Sequence, residues 1–352
     1  MDSPSSDDHS PLPGWLAIAL VVGTSAAILV LEILAGRLLA PYVGESLETY
    51  TAIIGTVLAG IAVGAWLGGI AADRVDPRRL IPALLVIGGA LAIATVPTVR
   101  ALGGAGGSAS IGGTLALTAI GFLPSATVLS AVPPAVVKLQ LRDLGSTGAT
   151  VGRLSAYGTA GAIVATFLTG FVLAAIAAVT TNNISVGVVR VVSGLGLWLA
   201  FPRPLRQSAR LEMLSVTAFA GVVLVGATAL GSPCDSETAS YGVSIEIDDE
   251  RVNGRILVLD DLRHSYVDLE DPTHLDFWYT RRLAEAIDMT EPIDPDGSLR
   301  VVHIGGGALT VPTWTQATRP GSVQTVFEID DELIDLVVDE FDRTTGPGTG
   351  LE

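Results

Sequence analysis

The chain has 352 residues, of which 49% are hydrophobic and 16% charged, and its mean hydropathy is +0.55. This composition excludes a disordered acidic protein and an ordinary soluble globule. Residues 1–231 carry 10 acidic and 12 basic side chains, whereas residues 232–352 carry 26 acidic and 8 basic ones. We therefore expect a polar tail (1–14), a membrane domain (15–231) and an acidic domain after it.

The net charge and the cysteine content limit which ligands and covalent links the chain can have. A net charge of −16 opposes direct binding to nucleic acid, because phosphate affinity comes from clustered cations. An acidic part in a chain with a single lysine is equally typical of a high-salt cytoplasm and of a GC-rich genome. The single cysteine, Cys234, excludes an internal disulfide and a zinc cluster, and we predict no metal site.

Apolar runs dominate the first part. Crossing the hydrocarbon core takes about 20 residues, and the first run is too long for a signal peptide and has no basic residue before it. The sequence therefore predicts a multi-pass α-helical domain of about seven helices in the lipid bilayer of the cell membrane. The seven runs are Trp15–Leu39, Tyr50–Ala72, Leu80–Val99, Ile111–Val132, Tyr157–Val179, Ile184–Phe201 and Leu214–Leu230.

Basic residues in the short loops indicate the orientation, since cytoplasmic loops are enriched in Lys and Arg. The bias predicts a cytoplasmic N-terminus. Seven crossings would then place the acidic domain outside, although one re-entrant helix would reverse this, so the side of the C-terminal part stays open. One set of loops holds Arg74, Arg78, Arg79, Lys138, Arg142, Arg153, Arg203, Arg206 and Arg210, and the other holds Arg37 and Arg100.

Two features inside the apolar runs stand out. Gly60, Gly64 and Gly68 repeat every four residues, which predicts close helix packing rather than a substrate path. Glu32 and Arg190 are ionisable groups within apolar runs, and such groups are costly and often functional. Glu32 lies near the end of its run, so reaching the headgroups is its alternative role.

The acidic part begins with a predicted β-hairpin followed by a helix, over residues 232–298. Alternating apolar residues at Tyr241–Ile247 predict one strand, and Arg255–Asp260 predicts the second. Leu275, Tyr279, Leu283 and Ile287 share one helical stripe, which predicts a helix over His274–Ile287.

Residues 299–352 follow the order strand, glycine turn, helix, strand, acid, helix. This order is typical of the opening of a nucleoside-binding sheet, because glycines let the backbone approach a ligand and an acid after the second strand accepts hydrogen bonds from ribose. Glu328 lies 23 residues after Gly305, near the expected spacing. The alternative is that the glycines only allow helix–sheet packing. The segments are Leu299–Ile304, Gly305–Gly307, Ala308–Thr318, Ser322–Phe327, Glu328 and Asp331–Phe341.

Four motifs in this order resemble the spermidine synthases, or polyamine aminopropyltransferases. They are Leu259–Ser265 (LDDLRHS), Phe277–Tyr279 (FWY), Ile304–Gly307 (IGGG) and Glu328–Asp330 (EID). The resemblance covers about 110 residues. With the helical part in front, the chain resembles the membrane-fused branch of that family, found in bacteria and haloarchaea.

The resemblance implies a hairpin followed by a Rossmann-like methyltransferase fold, of which this chain carries the first half. It implies decarboxylated S-adenosylmethionine as co-substrate, no permanently bound cofactor, and an amine such as putrescine or spermidine as the second ligand. Glu328 corresponds to the acid that holds the ribose, Gly305–Gly307 to the nucleoside-binding turn, and His264 to the position of a donor-contacting glutamine. Tyr279 matches a tyrosine assigned to substrate binding. Asp261 is a further candidate for the amine, with a solvated surface role as its alternative.

Three departures from the family pattern stand out. Ala308 replaces an aspartate that helps to bind the donor, and His264 replaces the glutamine without being equivalent to it. The catalytic aspartate of the family lies on a later loop, and no residue here matches it. With only two core strands, the inner strand would keep an unpaired edge. We therefore expect a C-terminally truncated form, or completion by a separate chain or a homo-oligomer.

These observations leave several functions open. The first is aminopropyl transfer from the decarboxylated donor to a diamine, impaired in this chain because no catalytic residue is assigned. The second is a membrane protein that transports or senses a polyamine or nucleoside without chemistry. The third is a degenerate form without activity.

Overall fold

The computed structural model describes residues 12–103, 110–141, 144–201, 218, 221, 222, 225, 234–291, 298–341 and 349–351. The chain divides into two compact units, Met1–Gly231 and Ser232–Glu352.

The first unit is helical. Its elements are α1 (Gly14–Val43), α2 (Leu47–Arg74), α3 (Pro77–Gly103), α4 (Ile111–Ser130), α5 (Val132–Gln140), α6 (Thr147–Leu168), a π-helical turn (Thr169–Leu173), α7 (Ala174–Ile176) and α8 (Val179–Ala200). Within the described residues, these form 6 helices long and apolar enough to cross a membrane, α4 with α5 and α6 with α7 each counting as one. The predicted helical N-terminal part is therefore confirmed, whereas the predicted seventh run, Leu214–Leu230, lies almost wholly outside the described residues.

The boundaries predicted for the fifth apolar helix were wrong. It was predicted over Tyr157–Val179, but the helix begins at Thr147, and Val179 starts the next helix. The helix is interrupted at Ala177, whose backbone is extended (φ −156°, ψ 148°). The Asn182 amide donates to the carbonyl oxygens of Leu173 (2.8 Å) and Ala177 (2.9 Å), so the break keeps its backbone groups bonded.

The glycine repeat of α2 packs against α4 and the start of α5, as predicted. A Cβ added at Gly64 would lie 2.1 Å from the Thr127 carbonyl oxygen, and one at Gly68 would lie 2.5 Å from the Ala131 Cα. Backbones this close tolerate no side chain, so the repeat serves helix packing.

The second unit begins with an antiparallel sheet in the order β1-β2-β3-β4. The strands are β1 (Ser236–Glu237), β2 (Gly242–Ile247), β3 (Gly254–Leu259) and β4 (Leu262–Asp268). The predicted hairpin is thus extended by β4, which the sequence did not predict. The following helix, α9 (Trp278–Asp288), starts later than predicted, because the Arg281 guanidinium donates to the carbonyl oxygens of Leu275 and Asp276.

A parallel sheet follows, in the order β5-β6-β7. Its elements are β5 (Arg300–Ile304), α10 (Thr310–Thr318), β6 (Val323–Phe327), α11 (Asp331–Glu340) and β7 (Thr349–Leu351). The expectation of two core strands was wrong, because β7 pairs with β6 in parallel. The predicted α/β part is confirmed.

The core of this unit joins both sheets. Val243 and Leu257 of the antiparallel sheet are fully buried with Ala308, Val326 and Val337. The other face of the parallel sheet is exposed, with Val302 64% and Ile304 92% accessible. In the described residues β5 pairs only with β6, so the expected unpaired edge of β5 is present in this part of the chain.

Candidate functional site

The glycine bend after β5 needs its glycines at two positions. Gly305 (φ +87°) and Gly307 (φ +49°) adopt left-handed backbone conformations, which side-chain-bearing residues disfavour. A Cβ at Gly307 would also lie 2.6 Å from the Ser265 Oγ and 3.1 Å from the His264 Cε1. The bend is therefore pressed against β4, and two residues of the LDDLRHS motif lie directly on it.

Glu328, at the end of β6, lies against this bend. Its Oε2 accepts from the N–H groups of Gly306 (2.7 Å) and Gly307 (3.3 Å). Its Oε1 accepts from the N–H groups of Ile329 (2.9 Å) and Asp330 (3.4 Å). One carboxylate thus ties the end of β6 to the turn after β5, two points that are 22 residues apart in the chain.

These four bonds fix the charge state of Glu328. Burial alone would raise the pKa of this carboxyl, but the N–H groups of Gly306, Gly307, Ile329 and Asp330 together hold its pKa below the ordinary value. A carboxylate offers about four lone-pair positions, and each oxygen here already accepts two bonds. Glu328 is therefore an anion at neutral pH, held by short and long hydrogen bonds of unequal strength.

His264 and Ser265 form the second wall of the bend. The His264 Nδ1 is 3.1 Å from the Ser265 Oγ, and the Ser265 Oγ accepts from the N–H of Ala308 (3.3 Å). Burial lowers the pKa of His264 more than the negative charge of Glu328 raises it. The imidazole is therefore neutral at pH 7 and offers one donor and one acceptor nitrogen.

A cavity of about 1120 Å³ opens beside these groups, a size that accommodates a nucleoside with a side chain. It brings together most of the predicted site residues: Gly305, Gly306, Gly307, Glu328, His264 and Tyr279. The Tyr279 hydroxyl donates to the His264 carbonyl oxygen (3.2 Å), so α9 is bonded to β4 at the cavity wall. Asp261 is not brought to the cavity, because it is exposed in the turn between β3 and β4.

Among the other residues that line the cavity, none of which was predicted as a site residue, are Arg263, Ser265 and His303. Arg263 lies over the Phe277 ring, 5.8 Å from its centroid, and 3.9 Å from an Asp276 oxygen. The Nε2 of His303 is 2.9 Å from the Oε1 of the buried Gln324. The alternation of β5 could have indicated His303, since it shares a face with the buried Gln324.

The structure gives a reason for the alanine at position 308, where the resemblance implies an aspartate, and it places Leu309 beside it. Both side chains are buried, at 0% and 4% exposure, in the core shared by the two sheets. An aspartate at position 308 would place a charge in that apolar core. Leu309 adopts a left-handed conformation (φ 56°, ψ 27°), a strain that the burial of its side chain offsets.

The charges around the cavity are few. Among the described lining residues, Glu328 is the only carboxylate, and Arg263 is the only permanent cation. The remaining wall is largely apolar, with Leu262, Leu283, Val311 and Phe327. The site therefore suits a ligand with an apolar, aromatic body and a few hydroxyl groups.

Comparison with known proteins gives one partial likeness. Among solved structures, the chain is similar to a probable spermidine synthase from Corynebacterium glutamicum ATCC 13032, with 26% identity and a TM-score of 0.31. The match covers 35% of this chain and 44% of that protein, so the chain spans less than half of its length. No family model matches, and the search of curated proteins finds no relative.

Proposed function

We propose that the acidic unit binds the adenosine part of decarboxylated S-adenosylmethionine, and that the chain is a membrane-bound spermidine synthase-like protein. One observation carries the proposal. The Glu328 carboxylate lies 2.7 Å from the Gly306 N–H at a cavity of about 1120 Å³. A fixed anion beside a glycine bend at the carboxyl ends of parallel strands is the arrangement that grips a ribose.

The hydrogen bonds of Glu328 suggest how the ribose enters. The short bonds, to the N–H groups of Gly306 and Ile329, orient the carboxylate. The bonds from Gly307 and Asp330 are long, at 3.3 and 3.4 Å, and are the weaker ones. Each oxygen exchanges its long bond for one ribose hydroxyl, so two hydroxyls are bound while the carboxylate stays in place.

The reaction that follows is aminopropyl transfer to a diamine such as putrescine. The neutral amine attacks the carbon beside the sulfonium, a C–N bond forms, the C–S bond breaks, and methylthioadenosine leaves. The proton of the new ammonium passes to a carboxylate or to water. Glu328 is held by N–H groups and is a binding group, and among the described lining residues it is the only carboxylate. A strand-bearing segment or second chain that pairs with the β5 edge is our proposed source of the carboxylate that orients the amine.

We propose a cytoplasmic N-terminus for the membrane unit. This orientation assumes that successive loops lie on alternate sides of the membrane, and one contact supports that assumption. Lys138 of α5 pairs with Asp73 of α2 at 2.7 Å, so the end of α2 and the end of α5 lie on the same side. The basic loops predicted to be cytoplasmic include both ends. A reporter fused after Glu352 assigns the side of the acidic unit, and the enzyme proposal requires the cytoplasmic side, where the donor nucleoside is made.

Calorimetric titration of the purified full chain with decarboxylated S-adenosylmethionine, and separately with spermidine, tests the proposal. Donor binding that is lost in Glu328→Gln but kept in Glu340→Gln, an exposed acid of α11, supports the site. Release of methylthioadenosine on adding putrescine supports the transfer. Spermidine binding without donor binding refutes the proposal and favours the transport or sensing function.

A further inference from the structure

The middle of α8 carries an arginine that the nucleoside site does not explain. Arg190 lies near the centre of α8 (Val179–Ala200, 22 residues), about 15 Å from either end at the rise of an α-helix. A guanidinium stays charged at every physiological pH. At this depth in a membrane such a charge is costly unless a partner neutralises it.

The packing places the Arg190 guanidinium where three helices meet. Its Cβ would lie 2.9 Å from a Cβ built at Gly89 of α3, so the side chain leaves α8 against the α3 backbone. Its Nη1 would lie 2.7 Å from a Cβ built at Gly23 of α1. Gly89 thus makes room for the start of the Arg190 side chain against α3, and Gly23 makes room for its guanidinium against α1.

No described residue satisfies this charge. The Nε of Arg190 is buried without a hydrogen-bond partner in the described part of the chain, and none of the described carboxylates forms an ion pair with it. Glu32, the other ionisable group inside an apolar run, is not bonded to it. A buried donor on a charged group is expensive to leave unpaired.

A second polar side chain on α8 is also unsatisfied. Asn183 is 0% exposed, and neither its amide nitrogen nor its amide oxygen has a partner among the described residues. It precedes Arg190 by seven residues, which places both on one face of α8, about 10 Å apart along the axis. Gly187, between them, is in backbone contact with Gly89 of α3, so this face of α8 packs towards α3.

We infer that Arg190 binds an oxyanion, a carboxylate or a phosphate, inside the helix bundle. The planar guanidinium matches such a group with two parallel hydrogen bonds. Asn183 is a second unsatisfied polar group on the same face of α8. The site is distinct from the cavity of the acidic unit and does not depend on the function proposed for that unit.

Thermal unfolding of the purified full chain in a neutral detergent tests this inference. The probes are inorganic phosphate, succinate, and mixed micelles containing phosphatidylglycerol. We expect at least one probe to raise the unfolding temperature of the wild type with a saturable dose response. Arg190→Gln should weaken the apparent affinity at least tenfold. Arg153→Gln, which removes the same charge from an exposed position on α6, should leave it unchanged.

The arms of the experiment separate the sources of the anion. A response to phosphate or succinate assigns a soluble ligand, and a response to phosphatidylglycerol alone assigns a lipid headgroup. If Arg190→Gln does not fold, Arg190→Lys serves instead. It keeps the charge but cannot form two parallel hydrogen bonds to the anion, so its affinity for the probe should still fall several-fold. The inference is overturned if no probe stabilises the wild type, or if the Arg190 variants respond as the wild type does. Methylthioadenosine binding should be unchanged in all these variants, so failure here is distinct from failure of the proposed function.

Discussion

Replacing Glu328 by glutamine should loosen the glycine bend. The carboxylate accepts four N–H groups, whereas an amide has one oxygen and can accept two of them. Its NH₂ group would face the N–H donors that remain. Two hydrogen bonds to a charged acceptor contribute about 1.5–3 kcal/mol each. Two of the four are long, and the site is partly open to solvent, so the net loss of local stability is about 1–3 kcal/mol, or about 5- to 150-fold in an equilibrium.

Hydrogen exchange of the full chain in detergent, followed by mass spectrometry, measures this change. Peptides covering the bend and the start of α11 should exchange about 5- to 150-fold faster in Glu328→Gln. Glu340→Gln, at the exposed end of α11, should exchange there as the wild type does. Equal exchange in the wild type and Glu328→Gln would refute the idea that this carboxylate holds the bend.

The protection of the bend against hydrogen exchange should decrease as the pH falls. The four N–H groups outweigh burial and lower the folded-state pKa of Glu328, whereas in the unfolded chain it is about 4.3. The contribution to stability is therefore complete well above pH 4.3 and is lost as the pH falls through the lower, folded-state value. A bend whose protection, corrected for the intrinsic exchange rate, stays constant from pH 6 to pH 3 would contradict this.

Three further predictions follow from the described contacts. Gly307→Ala should destabilise the acidic unit by about 1–3 kcal/mol, by left-handed strain and by contact with Ser265, and adding Ser265→Ala should restore part of the loss in thermal unfolding. Burial lowers the pKa of His264, so its protonation, once the pH falls through that lowered value, should weaken binding of the sulfonium donor about fivefold by like-charge repulsion of about 1 kcal/mol. Calorimetry with neutral methylthioadenosine should show no such loss, and His264→Gln should abolish it. Gly64→Ala should lower the unfolding temperature by separating α2 from α4, at a cost of about 1–3 kcal/mol, whereas Gly69→Ala, with open space around it, should not.

The elements with a strong local signal could be predicted from the sequence. Spans of about 20 apolar residues identified helices that are long and apolar enough to cross a membrane. The order strand, glycine turn, helix and strand identified the bend and the position of Glu328. The remaining elements, β4, β7 and the start of α9, depend on tertiary contacts and could not be predicted. The first residues of β4 are exposed, so its apolar pattern is incomplete, and β7 has three residues, too few to show a period. The start of α9 depends on a side chain, Arg281, that bonds the carbonyl oxygens before it.

The same difference between local signals and tertiary contacts applies to the candidate site. That Glu328 would lie beside the bend at Gly305–Gly307 could be predicted, because two consecutive strands and the turn between them set this position. Ser265 could not, because its contact with the bend joins residues 43 positions apart, and such a contact leaves no periodic trace in the sequence. Asp261 does not line the cavity, because composition shows that an acid is near a motif but not that it lies in an exposed turn.

The position of the cavity relative to β5 has a consequence for completion of the site. In parallel sheets, ligands bind beyond the carboxyl ends of the strands, where the strand order reverses. Here the bend follows β5 and Glu328 follows its neighbour β6, so the end of the cavity next to Glu328 is built by β5 and β6. His303 and Ile304 line the same cavity from the strand whose other edge is unpaired in the described chain. A strand added at that edge would therefore extend the cavity wall without disturbing Glu328. Under the proposed function, nucleoside binding and transfer are then separable, and the acidic unit should bind methylthioadenosine even where no transfer occurs.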